Sequence, residues 1–283
     1  MHYLTDPLQF EFMRRALMAV VLTGIAAGVL GSYVVLRGLA FIGDALSHAV
    51  FPGIVVAVAI GRSILLGALV VGIATALGIA TISRNRRVSE DTAIGILFAA
   101  MFALGVVLVS TLAAYQRDVA DLLFGQILAV SQTDLYLAAG TTAVALLATA
   151  LLNKEFSLIG FDRDMAQAMR YPVFLLDLIL LGLITLAIVV SLQAIGNILV
   201  LAMLVTPAAT ARLLTQRLAT MQLLSAALGV AAGVVGLYIS FWWNVASGGA
   251  VVLTATAIFF AVFAAVELAP RLRPALRRGD LPV

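Results

Sequence analysis

Nine apolar stretches follow one another along the chain, at about 13–36, 43–61, 63–83, 92–114, 133–153, 173–192, 195–214, 218–243 and 248–267, with a shorter one at 119–130. Coiled as a helix, about 20 such residues match the hydrocarbon thickness of a bilayer. Hydrocarbon offers no partner to a free N–H or C=O, so each crossing segment must satisfy its own backbone, which an α-helix does. The stretches are too continuous for the alternating pattern of a barrel strand. Composition agrees: 63% of the residues are hydrophobic and 11% charged, whereas soluble domains carry about 25% charged residues. The expected fold is all-α, a polytopic transmembrane bundle in one domain spanning 1–283.

Basic residues set the orientation. Arg84, Arg86 and Arg87 share one connection, Lys154, Arg163 and Arg170 another, Arg212 and Arg217 flank a third, and Arg271, Arg273, Arg277 and Arg278 close the chain. If the helices from 92 onward alternate, all of these face one side, which the positive-inside rule makes cytoplasmic. The other side holds little beyond Arg117. The C-terminus is therefore expected inside. The same rule accounts for the net charge of +3 without nucleic acid. Nine crossings would put the N-terminus outside, yet Arg14 and Arg15 argue for inside. The expectation is eight or nine spans, with a broken or half-crossing helix in the first third and 43–61 as the candidate for the segment that fails to cross, because it carries Asp44, Ser47 and His48 before Pro52-Gly53. No short apolar core with a small-residue cleavage site opens the sequence, so a removed signal peptide is not expected.

Two features organise the rest. Glycines recur four apart in Gly24-Ile25-Ala26-Ala27-Gly28 and Gly229-Val230-Ala231-Ala232-Gly233, which lets helix backbones approach closely in lipid. The longest polar interruption, 153–171, places Phe161, Met165, Ala168 and Met169 at helical spacing with Asp162, Arg163, Asp164 and Gln167 between them. This predicts a short amphipathic helix at about 158–170, either resting on the membrane surface or docking its apolar stripe in the groove of a soluble partner.

His48 is one of only two histidines, and it lies in the most polar patch of the apolar sequence. On a helix, Asp44 and His48 stand one turn apart on one face. Carboxylate oxygen and imidazole nitrogen make half of a divalent-metal site, and ionisable groups at membrane depth are costly enough to suggest function. The competing reading is a buried pair that satisfies itself. Two ligands are too few for an ion, so further donors must come from elsewhere in the chain or from a second copy related by a two-fold axis. Asp177, five residues after Pro172, reads as an interface residue. Gln126, Gln193, Asn197 and Asn244 read as helix glue or cavity-facing groups, and Thr206-Pro207 as a local helix distortion with Thr206 available to a freed backbone group. The chain has no cysteine, which excludes disulfides and thiolate sites. It has no phosphate-binding Gly-x-x-x-x-Gly-Lys-[Ser/Thr] loop, no His-Glu-x-x-His and no Gly-x-Ser-x-Gly, so neither ATP binding nor hydrolase chemistry is expected of it.

The run VVLRGLAFIGDALSHAVFPG at 34–53 resembles the manganese/zinc permeases of the ABC-3 metal-transport family. The resemblance continues through LIGFDRDMAQAM at 158–169, VVSLQAIGNILVLAMLVTPAATARLLT at 189–215 and GLYISFWWNVASGGAVVL at 236–253, covering most of the chain in order. It implies a fold similar to the type II importers and a multi-pass permease of the bacterial inner membrane. It also implies a homodimer or pseudo-dimer served by a pair of cytoplasmic ATP-binding subunits and an extracytoplasmic metal-binding protein. The family's metal-coordinating aspartate and histidine fall on Asp44 and His48. Its coupling helix falls on about 158–170, with Phe161, Asp162, Met165 and Met169 meeting the ATPase. The cargo implied is Mn²⁺ or Zn²⁺, with no permanently bound cofactor and ATP hydrolysis on a separate chain. Two other readings stand beside it: a proton- or ion-coupled secondary transporter that uses Asp44 as carrier, and a structural subunit to which Asp44 and His48 are dispensable. Carboxylate and imidazole suit Mn²⁺, Zn²⁺ and Fe²⁺ alike, so the residues leave the metal open.

Overall fold

The computed structural model describes residues 6–84, 87–111 and 130–277. All but the last residue of the 119–130 stretch, and with it Arg117 and Gln126, lie outside those residues, as do Arg86 and Arg278. Among the described residues, a single turn at Pro7–Gln9 is followed by twelve helices: α1 (Glu11–Leu36), α2 (Ile42–Ala49), α3 (Phe51–Ala59), α4 (Ile64–Ser83), α5 (Glu90–Thr111), α6 (Gln132–Leu151), α7 (Asn153–Phe161), α8 (Arg163–Ala168), α9 (Val173–Ile195), α10 (Asn197–Leu214), α11 (Leu218–Trp243) and α12 (Ser247–Arg277). No strand occurs among the described residues. Eight segments among the described residues are long and apolar enough to span a bilayer: α1, α2 and α3 taken together, α4, α5, α6, α9, α11, and α12 as far as Leu268. A ninth, Leu199–Leu214 within α10, is shorter. The protein is a multi-pass α-helical membrane protein.

The expectation that 43–61 stops short of crossing is corrected. Arg37, just before α2, bonds to Glu90 at the start of α5 and to Asp177 near the start of α9. At the far side, Gly61 turns the chain with a φ of +65°, and α4 then returns to Arg84, which lines a cleft with Glu90 and Arg163. The α2–α3 segment therefore runs from the arginine-rich end to the opposite one. It is broken at Val50, as the polar residues suggest, but Val50 keeps helical dihedrals. Pro52 falls in the first turn of α3, where its missing N–H leaves no bond unmade. With this segment crossing, the start of α1 lies opposite the arginine-rich end, and the Phe10 ring packs 5.8 Å from that of Phe241 near the far end of α11. Arg14 and Arg15 are thus on the side the charge pattern disfavours, with Arg15 ion-paired to Glu11.

Helix α1 occupies the centre, packed on α6, α9, α10 and α11. Its glycines meet those of α11 in antiparallel register. A Cβ added at Gly24 would lie 3.2 Å from the Val230 nitrogen, and one at Gly28 only 2.6 Å from the Ala226 backbone. The two small-residue motifs singled out by spacing thus pack against each other. Several hydroxyls inside the bundle are satisfied locally: those of Thr23, Ser32, Thr142, Thr149 and Thr185 each donate to the carbonyl four residues back, which leaves their hydrogens paired in an apolar surrounding. Pro207 sits inside α10 without ending it.

The single helix expected over 158–170 is two, α7 and α8. Asp162 separates them with an extended backbone, and its Oδ1 accepts the Met165 N–H at 2.8 Å as an N-cap. A short acidic side chain competes with the helix ladder for backbone donors, and that competition starts a new helix where spacing alone continues the old one. The apolar stripe survives the break: Phe161, Met165 and Met169 are 61%, 54% and 54% exposed, while Phe156, Ile159 and Ala166 anchor the segment inward.

Candidate metal site

Helix α2 is amphipathic in a way its length makes legible. Ile42, Ala45, Leu46 and Ala49 face the core and are almost fully buried, which turns Asp44 and His48 to the opposite face. His48 Nε2 lies 3.4 Å from Asp44 Oδ1. The two side chains keep 24% and 27% of their surface exposed, so the pair opens toward the outside of the chain. A third polar group reaches the same nitrogen: Asn197 Nδ2, at 3.3 Å. Asn197 is the first residue of α10 and follows Gly196, whose φ of +84° and ψ of 165° belong to a region that is essentially glycine's alone. Helix α10 is the short one because it starts at the level of His48, near the middle of the α2–α3 crossing.

Aromatic rings wall the imidazole. Phe98 and Phe102, one turn apart on α5, present centroids 5.8 and 5.5 Å from that of His48 in edge-to-face contact. Phe41 and Phe51 extend the wall through Phe98 and Phe102 respectively. These contacts hold the ring's orientation and keep its flank dry. Among the described residues no group of three or more His, Cys, Asp and Glu side chains could hold a metal ion. One chain therefore offers one carboxylate and one imidazole, with an amide beside them.

The profile of the family described as "ABC 3 transport family" matches residues 9–266, nearly the whole described chain. The chain belongs to the ABC 3 transport family. One family relative is the manganese transport system membrane protein MntC of Halalkalibacterium halodurans, 46% identical over 90% of this chain and 88% of the relative. Another is the chelated iron transport system membrane protein YfeD of Yersinia pestis, 39% identical over 92% and 86%. Among solved structures, PsaBC from Streptococcus pneumoniae in complex with Fab superposes with a TM-score of 0.81 at 39% identity, covering 93% of this chain and 94% of that one. The architecture is that of a type II ABC-importer permease.

Of the other polar residues read from the sequence, Gln193 is exposed, and Asn244 ends α11 in the left-handed conformation. Asp177 is an interface residue of a kind its sequence position does not reveal. At the arginine-rich end of this ABC 3 fold, Arg37 donates to both Glu90 oxygens at 2.8 and 2.9 Å and to Asp177 Oδ1 at 2.9 Å. Arg163, the first residue of α8, pairs with Asp177 and lies 3.6 Å from Glu90. Two cations and two anions from α1's end, α5, α8 and α9 thus form one neutral cluster, with the Asp177 side chain only 2% exposed. The cluster ties the α7–α8 segment to α5, whose Phe98 and Phe102 wall the candidate site. The one sequence signal for it is the cost of an unpaired carboxylate in an apolar run, which requires a cation without saying which.

Proposed function

We propose that this chain is the membrane-spanning subunit of an ATP-driven importer of divalent transition-metal ions, with manganese as the cargo, and that the ion passes Asp44 and His48. The observation that carries the reading is the Asp44–His48 pair: two metal-donor types on adjacent turns, at membrane depth, walled by Phe98 and Phe102 and open on one side. Two donors hold an ion poorly. A second copy about a two-fold axis would add a second carboxylate and imidazole across the pathway, and the partial exposure of the pair leaves room for it. The names borne by MntC of H. halodurans and by its relatives favour manganese, and YfeD of Y. pestis keeps iron in view. Zinc shares the ligand chemistry.

The chain has no nucleotide-binding loop, so the work of transport comes from a pair of ATP-binding subunits on the cytoplasmic side. The exposed Phe161, Met165 and Met169, with Asp162 fixing the turn between α7 and α8, are the contact proposed for them. The arginine-rich end and the C-terminus then face the cytoplasm of a bacterial cell, with the chain in the plasma membrane. An extracytoplasmic metal-binding protein delivers the ion to the opposite end. The decisive experiment is uptake of ⁵⁴Mn²⁺, ⁶⁵Zn²⁺ and ⁵⁵Fe²⁺ by cells carrying Asp44→Ala or His48→Ala at wild-type membrane abundance. Either substitution abolishes uptake of the cargo metal. Wild-type uptake by Asp44→Ala would remove the pathway.

A further inference from the structure

One buried polar group beside the pair has no part in the reading so far. Asn197 is 7% exposed, and its two polar atoms differ in their surroundings. Nδ2 lies 3.3 Å from His48 Nε2, whereas Oδ1 is buried with no hydrogen-bond partner. A buried oxygen left unpaired is unfavourable, and an apolar side chain would avoid that loss. The positions around it, Ile195, Leu199 and Val200, are apolar and buried. The amide is nevertheless delivered to this spot by a glycine-only turn at Gly196.

We infer that the Asn197 amide oxygen is a third metal donor of this chain, and that it tilts the site toward Mn²⁺ against Zn²⁺. The inference rests on the reading of Asp44 and His48 as metal donors. A half-turn about the Cβ–Cγ bond exchanges the two amide atoms, bringing Oδ1 to the place beside Nε2 that Nδ2 now holds. Oδ1 then stands beside the same imidazole nitrogen that Asp44 Oδ1 faces at 3.4 Å, where a cation would give it the partner it lacks, while Nδ2 takes its buried place. The donor count decides which ion is served. Carboxylate and imidazole from each of two copies make four donors, the tetrahedral number that zinc prefers. Adding an amide oxygen from each copy makes six, the octahedral, oxygen-rich set that suits manganese. The correction matters because, for a given set of donors, affinity runs in favour of zinc.

The test uses the complete transporter in membrane vesicles, with ATP-driven uptake of ⁵⁴Mn²⁺ and ⁶⁵Zn²⁺ measured for Asn197→Ala, Asn197→Asp and His48→Ala. Asn197→Ala should raise the half-saturating Mn²⁺ concentration roughly tenfold or more, the scale seen when a group supporting a metal is removed, and change that for Zn²⁺ far less. Asn197→Asp, which keeps an oxygen in place, should hold the Mn²⁺ preference. An unchanged Mn²⁺-to-Zn²⁺ ratio in Asn197→Ala, with His48→Ala inactive, would overturn the role of Asn197 and leave the pathway standing. Full uptake by His48→Ala would overturn both. If the alanine variant does not accumulate, loss of the Mn²⁺ preference in Asn197→Asp refutes the inference and its retention supports it.

Discussion

Gly196 shows how one missing side chain can set a site. Its dihedrals, +84° and 165°, lie where a Cβ is strained by about 1–3 kcal/mol, and the turn they make starts α10 beside His48. Gly196→Ala is expected to lower the unfolding midpoint in detergent and to reduce metal uptake with it, because relief of the strain moves Asn197 off the imidazole. Thermal unfolding of the purified chain, read beside uptake, checks this. An unshifted midpoint would mean that the turn relaxes freely. At this scale the sequence reveals Asp44 and His48 because two rare residue types stand one turn apart in an otherwise apolar run. Phe98 and Phe102 are hidden by the same logic, since an aromatic pair one turn apart on an apolar helix is ordinary lipid-facing or core material. Asn197 is legible only as a buried amide. Its partner is 149 residues away in sequence, a distance that no local periodicity bridges.

Among the elements, the α7–α8 segment carries most consequence. Its sequence pattern gives the exposed stripe correctly and the helix boundary incorrectly, since periodicity reports which faces are apolar while Asp162 decides where a helix begins. If the stripe is the ATPase contact, truncating its central anchors costs about 2 kcal/mol, roughly thirtyfold in affinity. Phe161→Ala combined with Met165→Ala should therefore insert at normal abundance yet fail to co-purify with the ATP-binding subunits. A double variant that still co-purifies and supports metal-stimulated hydrolysis would leave the segment as a membrane-surface helix. The cluster behind it makes a separable prediction. Removing one member of a buried ion network strands the charges it neutralised, which costs about 3–5 kcal/mol. Asp177→Ala, at the 2% exposed centre of the network, should thus destabilise the chain in detergent unfolding by about that much. The same change should loosen α8 from α5 and α9, and hydrogen exchange at Arg163–Ala168 measures that loosening independently. Arg37 and Asp177 are 140 residues apart, so only the folded chain could pair them.

For the molecule as a whole, two physical signals disagree about the side on which α1 begins, and the fold decides between them. Arg14 and Arg15 pull that start toward the arginine-rich side. Packing puts the start of α1 opposite: α1 runs antiparallel to α11 through the Gly24–Gly28 and Gly229–Gly233 contacts, and Val35 near its end packs against the cluster of Ala208, Ala211 and Met221, the last at the start of α11. Moving α1 the other way round would break this close backbone approach and separate Arg37 from Glu90 and Asp177. One arginine of the pair is in any case ion-paired to Glu11, which weakens its topological vote. The chain contains no cysteine, so single cysteines report cleanly. Gln9→Cys, exposed beside α1, should react with an impermeant thiol reagent added to intact cells. Gln216→Cys, exposed between α10 and α11, should react only after the membrane is opened. Labelling of both positions from the same side would require an even number of crossings between them. The described residues of that interval supply seven, α1, α2–α3, α4, α5, α6, α9 and α10, so such a result would count against the crossing of one of these helices, with the short α10 the first to be tested.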